Sequence, residues 1–499
     1  MIESLMSLMG GFATALTPTN LLFCLAGVSM GMFVGVLPGL GPVAGTALLI
    51  PMTYGMEPVT AIIMLAGIFY GAMYGGTITS VLINTPGEGA SVITCIDGYQ
   101  MARQGRAGQA LGVAAIGSFV GGVVAIVCLT FLGPAIADIA LGFGPPEFFS
   151  LMMFGLLLVV GLMGKSVVKG LIAAVLGVLL SEIGIDSGSG MDRFLFGQIE
   201  LLDGIDFVVL AMGLFGISEI LLNMEDVSKV AVPARVEKMI PPREEWKPTL
   251  SAIARGTGIG MVLGLIPGSS ASIASLISYS VEKKVAKDPS RFGHGAIEGV
   301  AGPETANNAY SGAALIPLFT LGIPSSPTVA ILLGAFIMHG LNPGPLLYQS
   351  DPDFIWGVTA SMFIGNLLLL IMNLPMANLW AKVALVPYKL LYPIILIVCM
   401  IGIYSVGRSL FDVGLLIFFG VIGYLMKKLE IPAAALILAF ILGENLEYTM
   451  IQTVSMSDAG MLLLFQRPVS CVITILCIIA LVISLYTAIK QRRDQLGDE

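Results

Sequence analysis

A glycine pattern that occurs twice in this chain constrains its fold more than any other feature. GVSMGMFVGVLPG at 27–39 aligns without a gap on GTGIGMVLGLIPG at 256–268. In each copy the glycines recur every four residues, a spacing that lets two helices approach closely in lipid. A Pro-Gly pair then ends the helix. A GxxxG pattern alone is weak, but two copies with the same Pro-Gly register indicate an internal duplication.

A second interruption follows the first in each copy. TITSVLINTPGEGASVI comes after Tyr74-Gly75-Gly76, and AALIPLFTLGIPSSPTVAI comes after Tyr310-Ser311-Gly312. Each unit therefore contains two breaks in an apolar run. These are PGLGP and NTPGEGAS in the first unit, and PGSSAS and GIPSSPT in the second.

The residues around these breaks are those of a membrane protein. The chain has 56% hydrophobic and 11% charged residues, whereas about 25% of the residues in a soluble domain are charged. A span needs roughly 20 apolar residues, so the apolar stretches predict about 10 to 13 membrane segments, some of them broken. We therefore expect an all-α polytopic protein that crosses the lipid bilayer many times.

The basic residues predict that the two units have opposite orientations. In the first unit Arg103 and Arg106 follow the second interruption, whereas in the second unit four basic residues over 283–291 follow the first interruption. The corresponding loops, TYGMEPV and HGLNPGPLLYQSDPD, contain no Lys or Arg. Because basic loops stay in the cytoplasm, equivalent loops lie on opposite sides of the membrane. The two units are therefore predicted to be inverted repeats.

The two repeats divide the chain into five parts and contain the predicted re-entrant hairpins and discontinuous helices. We expect a first inverted repeat over 20–130, connecting membrane helices over 140–222, a cytoplasmic linker over 223–255, a second repeat over 256–375 and C-terminal membrane helices over 380–490. Within each repeat we expect a re-entrant hairpin tipped by Pro38-Gly39 or Pro267-Gly268, and a membrane helix unwound at 85–89 or 323–328.

Inverted repeats with discontinuous helices are typical of secondary transporters, which bind substrate and ions near the membrane midplane. A broken helix offers free N–H groups to a carboxylate and free carbonyl groups to Na⁺. We therefore predict a substrate site for a small carboxylate, formed by the four interruptions and two nearby asparagines. Its residues are Pro38, Gly39, Asn84, Thr85, Pro86, Gly87, Ser91, Pro267, Gly268, Ser269, Ser270, Asn307, Asn308, Pro324, Ser325, Ser326 and Thr328. The alternative at each break is a simple proline or glycine kink.

The stretch FGHGAIEGVAGPETANNAYSG is too polar for a span that faces lipid. Pro303 suits a helix start, which places Glu304 on one face with Asn307 and Asn308. An acidic residue inside a membrane domain is a functional candidate, so we predict a coupling or gating role for Glu304 and leave metal ligands unassigned. Glu88 would also repel an anion unless it is protonated, paired or turned away. The alternative is a solvated or interfacial helix whose amides brace the hairpin.

Several long stretches resemble the large membrane subunit of the tripartite tricarboxylate transporters. They are GVLPGLGP, AGIFYGAMYGGTITSVLINTPGEGASV, DGYQMARQGRAGQALG, GPETANNAYSGAALIPLFTLGIP and HGLNPGPLL. The resemblance implies a multi-pass importer of the bacterial inner membrane that works with a small membrane subunit and a periplasmic solute-binding protein. It also implies import driven by a Na⁺ or H⁺ gradient, with no ATP and no cofactor. PGSSAS and IPSSP depart from that family's usual Pro-Gly-Ala-Gly and Ile-Pro-Gly patterns, which leaves the carboxylate and the ion open.

The predicted function is therefore ion-gradient-driven import of a small carboxylate, not an enzymatic reaction. A passive anion channel, which also uses broken helices, and a stand-alone secondary carrier are the alternatives. GLMGKS at 161–166 lacks the first glycine of a phosphate-binding loop, and neither histidine lies in an HExxH motif. No nucleic-acid-binding motif is present in the sequence.

Overall fold

The computed structural model describes residues 2–37, 39–163, 166–186, 189–225, 236–383, 386 and 388–497. Pro38, predicted to tip a hairpin, lies outside the described residues, as does the part of the predicted linker over 226–235. The regular secondary structure of the described residues is helical apart from one antiparallel hairpin of two short strands, β1 (Gly184–Ile185) and β2 (Asp192–Arg193). The predicted all-α class is confirmed.

The α-helices of the described residues are numbered in chain order. They are α1 (Ile2–Ala15), α2 (Pro18–Val36), α3 (Gly41–Leu49), α4 (Pro58–Ile83), α5 (Val92–Arg103), α6 (Ala107–Ala140), α7 (Pro145–Met163), α8 (Val167–Ser181), α9 (Phe207–Ala211), α10 (Ser218–Glu225), α11 (Arg243–Gly264), α12 (Ala271–Val285), α13 (Glu298–Ala313), α14 (Leu315–Leu321), α15 (Pro327–Met338), α16 (Leu347–Ser350), α17 (Pro352–Asn373), α18 (Ala377–Val383), α19 (Tyr388–Gly407), α20 (Leu410–Lys428), α21 (Ala433–Ser455), α22 (Leu463–Gln466) and α23 (Pro468–Gly497). Short 3₁₀ segments cover Ile50–Thr53, Ile199–Leu201, Pro289–Arg291 and Gly460–Leu462, and a π-helix, Met212–Ile217, joins α9 to α10.

Seven of these helical segments are long and apolar enough to cross a membrane, counted over the described part of the chain. A bent pair, Gly460–Gln466 with Pro468–Ile483, makes an eighth if it is one span. Five more apolar helices have only 10–17 residues, among them α15 and the segment Gly41–Thr53, which joins α3 to its following 3₁₀ turn. The chain is thus a multi-pass membrane protein, and the predicted number of segments is reached only when the short and broken helices are included.

The two glycine stripes pack in the same way. α2 lies against α4, and α11 lies against α13. A Cβ carbon added to any stripe glycine would come within 3.0 Å of the facing helix backbone, so only glycine permits this approach. The stripe glycines are Gly27, Gly31 and Gly35 in α2, and Gly256, Gly260 and Gly264 in α11.

The structure aligns the two facing helices, α4 and α13, differently from the sequence comparison. The two alignments differ by two residues. Gly35 faces the carbonyl of Ala72, whereas Gly264 faces the carbonyl of Tyr310. Tyr310 is therefore structurally equivalent to Ala72 and not to Tyr74. The same register pairs the residues that follow α4 and α14, Asn84 and Gly322, and both have a left-handed backbone with φ of 56° and 69°.

The breaks after the glycine stripes also share one backbone form. Gly39 and Gly268 have φ of 90° and 79°, a conformation that L side chains rarely adopt. A new helix, α3 or α12, begins within three residues of each. Irregular segments at 84–91 and 322–326 then separate α4 from α5 and α14 from α15. The predicted interruptions are present, whereas the inverted orientation of the repeats stays a prediction.

The predicted helix start at Pro303 is wrong. α13 begins at Glu298, five residues earlier, and Pro303 lies within the helix. Every residue of α13 is buried, and buried backbone groups need hydrogen-bond partners. The N–H groups of the first turn find them in the carbonyl oxygens of Ala296 and Ile297, just before the helix. The helix is therefore not the solvated or interfacial one considered as an alternative. Glu304, Asn307 and Asn308 share it at the expected spacing.

Candidate functional site

The two interruptions of the second repeat touch each other through α13. The N–H of Gly268 donates a hydrogen bond to the carbonyl oxygen of Ser325 at 3.1 Å. The hydroxyl of Tyr310 donates to the carbonyl oxygen of Ser269 at 2.9 Å. The same hydroxyl lies 3.5 Å from the carbonyl oxygen of Ser325, so one tyrosine near the end of α13 contacts both broken segments of its repeat.

The irregular segment 84–91 of the first repeat reaches both repeats. A Cβ carbon added to Gly41, at the start of α3, would lie 3.8 Å from the Cβ of Glu88. A Cβ carbon added to Gly89 would lie 2.9 Å from the Oγ of Ser272, in the first turn of α12. The structure therefore brings the predicted interruptions side by side.

The side chain of Glu304, in the second repeat, contacts residues of the first repeat. Its side chain is 1% exposed. The hydroxyl of Thr77 in α4 donates to one carboxylate oxygen at 2.7 Å, and the hydroxyl of Thr94 in α5 donates to the other. The ion pairs found among the described residues do not include Glu304. A buried carboxylate at this position is held by hydroxyl groups alone.

Glu88 makes the reciprocal contact. One carboxylate oxygen accepts a hydrogen bond from the N–H of Ala90 at 2.8 Å, and the other accepts one from the side-chain amide of Asn307 at 3.1 Å. The hydroxyl of Ser91 donates to the carbonyl oxygen of Glu88 at 2.9 Å and holds the backbone of this turn. Each repeat thus contributes one buried carboxylate, and the other repeat supplies donors to it.

The asparagines of α13 use their N–H groups within the protein. Asn308 donates to the Oγ of Ser118 at 2.7 Å and to the carbonyl oxygen of Glu304 at 3.1 Å, and Asn307 donates to Glu88. The Oδ1 atoms of both asparagines are buried and have no hydrogen-bond partner in the part of the chain that the structure describes. The N–H groups of these amides are therefore already used within the protein, and their oxygens are the atoms that remain for a ligand.

The hydroxyl groups predicted to bind substrate are engaged with backbone atoms. Ser270 and Ser326 cap α12 and α15, because their Oγ atoms accept N–H bonds from Ile273 at 3.2 Å and Val329 at 3.3 Å. The starts of α3 and α5 have no such side-chain cap. Other predicted hydroxyls donate to carbonyl oxygens: Thr85 to Ile83, Ser269 to Ile266, and Ser325 to Ala314.

The remaining predicted site residues lie in the same four segments, and two of them, Gly39 and Asn84, are exposed. Gly87, Pro324 and Thr328 are buried, and Pro86 and Pro267 are half-buried. Asn84 is exposed, and its left-handed conformation ends α4. Sequence reasoning missed Thr77, Thr94 and Ser118, for which the available signal was a small polar residue within or next to an apolar run.

Two cavities lie away from the interruptions. One of about 720 Å³ is bordered by the β1–β2 hairpin and α21, and in it Arg193 pairs with Glu447 at 2.9 Å. Burial, with the neighbouring Glu447 adding to it, raises the pKa of Glu182 there to about 7. The other, of about 490 Å³, is lined by Arg106 and Arg291 among others. Neither cavity is lined by a residue of the four interruptions.

Comparison with known proteins agrees with the motifs. Residues 21–438 match the family described as "Tripartite tricarboxylate transporter TctA family". The chain is 46% identical over 497 residues to an "uncharacterized 52.8 kDa protein in TAR-I ttuC' 3' region" of Agrobacterium vitis, covering 99% of each chain. It is also 44% identical over 237 residues, 48% of this chain and 98% of the relative, to an uncharacterized protein of the TAR-II ttuC' 3' region of the same organism. No solved structure matches the chain.

Proposed function

Because the chain belongs to the tripartite tricarboxylate transporter TctA family, we propose that it imports a small carboxylate by secondary transport driven by a Na⁺ or H⁺ gradient. It serves as the large membrane subunit in the bacterial inner membrane, together with a small membrane subunit and a periplasmic solute-binding protein. The observation that most supports this proposal is the meeting of the interruptions around two buried carboxylates.

We place the substrate carboxylate at the broken helices. The starts of α3 and α5 lack side-chain caps and so keep N–H groups for an anion, and the nearby Ser and Thr hydroxyls can exchange their backbone partners for it. No Lys or Arg occurs in the four interruptions. The anion would therefore be held by helix N-termini and a co-transported cation, which permits easier release than a bidentate arginine.

The repeats over 20–130 and 256–375 are proposed to be inverted, with the linker over 223–255 in the cytoplasm. Single cysteines at Met56 and Val285 test this with a membrane-impermeant maleimide added to sealed, oriented vesicles. The unmodified chain is the control for the six native cysteines. We expect labelling from opposite sides, and labelling of both positions from one side would refute the inverted arrangement.

Uptake by the complete complex in vesicles tests the function. We expect accumulation above the external concentration when an ion gradient is imposed, dependence on the binding protein, and loss of uptake when the gradient is clamped at zero. Replacing Na⁺ with choline at fixed pH shows which ion drives uptake. Simple equilibration would indicate a passive anion channel, uptake without the binding protein a stand-alone carrier, and uptake sustained by ATP alone would contradict the proposal.

A further inference from the structure

We infer that Glu88, Glu304, Asn307 and Asn308 form a Na⁺ site between the two repeats. The inference rests on the proposed function only where it assigns this ion to transport. The binding site itself follows from the side-chain chemistry described below.

Both oxygens of each glutamate side chain are engaged by hydrogen-bond donors. Each accepts two hydrogen bonds: Glu304 from Thr77 and Thr94, and Glu88 from the Ala90 N–H and Asn307. An ionised carboxylate is costly to bury without a positive partner. The ion pairs among the described residues leave both glutamates without a Lys, Arg or His. A bound monovalent cation would supply the positive charge for one carboxylate, and the other carboxyl group would keep its proton.

The two asparagines give an independent indication of a cation. The Oδ1 atoms of Asn307 and Asn308 are buried without a hydrogen-bond partner among the described residues, and such an acceptor costs free energy unless something binds it. The amide of Asn307 already contacts Glu88 through its nitrogen, so its oxygen lies next to that carboxylate. A proton would need a single acceptor, whereas a metal cation uses several oxygens at once.

The ligand set favours a monovalent ion. Its members are oxygens only, which suits hard cations and not the transition metals that prefer imidazole or thiolate. No group of three or more His, Cys, Asp or Glu residues that could hold a metal occurs among the described residues. One ionised carboxylate with neutral carboxyl and amide oxygens carries a single negative charge and so fits Na⁺ better than Ca²⁺, which takes six to eight oxygens with several carboxylates.

The position of the site links the two repeats. Adjacent residues of α4 contact the two carboxylates, since Thr77 donates to Glu304, and a Cβ carbon added to Gly76 would lie 2.8 Å from the Cγ of Glu88. An ion at this position contacts the broken segment 84–91 on one side and α13 on the other. Because α13 also contacts both breaks of the second repeat through Tyr310, occupancy of this site would favour the packed arrangement of all four interruptions.

Thermal unfolding of the purified full-length chain in detergent tests the site without transport. NaCl is titrated against choline chloride at fixed pH and ionic strength, and we expect a saturable rise in Tm because an ion that binds only the folded state stabilises it. Glu304→Gln and Asn307→Leu should each raise the half-saturating Na⁺ concentration by about tenfold or more. Glu298→Gln, on the same helix but paired with Arg291 at 3.2 Å, is the matched control and should keep the wild-type value.

The outcomes separate this site from the proposed function. If Glu304→Gln fails to fold, Asn307→Leu and Asn308→Ala decide the result. An unchanged half-saturating Na⁺ concentration in the folded variants would overturn the site. So would a Tm that does not change with Na⁺, or one that rises more with Ca²⁺ or Mg²⁺ at a lower concentration. In each of these cases gradient-driven uptake by the wild-type complex would persist, whereas failure of the proposed function would show as no accumulation under any ion gradient.

Discussion

The two glycine-striped helix pairs share a backbone construction but differ in chemistry. In the register that pairs Asn84 with Gly322, Glu304 and Asn307 of α13 occupy the positions of Ala66 and Phe69 in α4. Packing is therefore duplicated, whereas the carboxylate and amide of α13 have no counterpart at the same positions of α4. A site built between such repeats is asymmetric, although the scaffold around it is repeated.

The second interruptions show the same contrast. Glu88 stands at the position of Ser326, and both side chains accept a backbone N–H that follows them: Glu88 from Ala90 at 2.8 Å, and Ser326 from Val329 at 3.3 Å. In the second repeat this contact starts a helix at once. In the first repeat the carboxylate also reaches Asn307. One structural position thus serves as a helix cap in one repeat and as a contact between the repeats in the other.

The largest expected effect tests the shared packing. Gly31→Val and Gly260→Val should both abolish recovery of folded protein, because the added atoms meet the facing backbone at less than 3.0 Å, and overpacking costs about 1–3 kcal/mol or more. Gly258→Val, in the same helix as Gly260, meets no atom within 4 Å and should fold normally. Size-exclusion chromatography in detergent measures the folded fraction. Tolerance of valine in only one stripe would show that the two pairs are not equivalent.

The next effect tests the difference in chemistry at the second interruptions. Glu88→Gln should reduce gradient-driven uptake by about 10- to 150-fold, the equivalent of one hydrogen bond to a charged group at about 1.5–3 kcal/mol, while the protein stays folded. Initial uptake rates at saturating and limiting ion concentrations provide the measurement. Glu57→Gln, at the exposed start of α4, is a carboxylate control. Equal loss in both variants would remove any special role for Glu88.

The sequence predicted those features that depend on neighbouring residues. The glycine stripes, the Pro-Gly breaks and the irregular segments are local, because steric limits on the backbone decide them. The start of α13 was not predictable in this way, since burial of residues 298–302 overrides the signal of Pro303. Nor was the contact of Glu88 with Asn307, which joins residues 219 positions apart. Asn84 was predicted as a ligand because of its amide, but asparagine also tolerates the left-handed conformation that ends α4.

A smaller effect concerns Tyr310, which occupies the position of Ala72 in the first repeat. Tyr310→Phe should lower the free energy of unfolding by about 1–3 kcal/mol, because the buried carbonyl oxygen of Ser269 loses its donor. Tyr404→Phe is the control, since that side chain is 48% exposed, and it should change stability by less than about 0.5 kcal/mol. Denaturant unfolding in detergent measures the free energy of unfolding of both variants and of the wild type. If Tyr310→Phe leaves the free energy of unfolding unchanged, the hydrogen bond from Tyr310 to Ser269 does not stabilise the second repeat.

The smallest effects compare single hydroxyls in the two repeats. Thr85→Ala and Ser326→Ala each remove a hydrogen bond worth about 0.5–1.5 kcal/mol, so the half-saturating substrate concentration should rise by about 2- to 12-fold in both. Only Ser326 caps a helix, and its loss should also lower stability by about 1 kcal/mol. Ser280→Ala, which removes an exposed hydroxyl of α12, should change neither quantity. Uptake assays and thermal unfolding on the same preparations separate the two effects. If both variants transport like the wild type, the hydroxyls only shape the broken helices, and the substrate is held elsewhere by backbone groups.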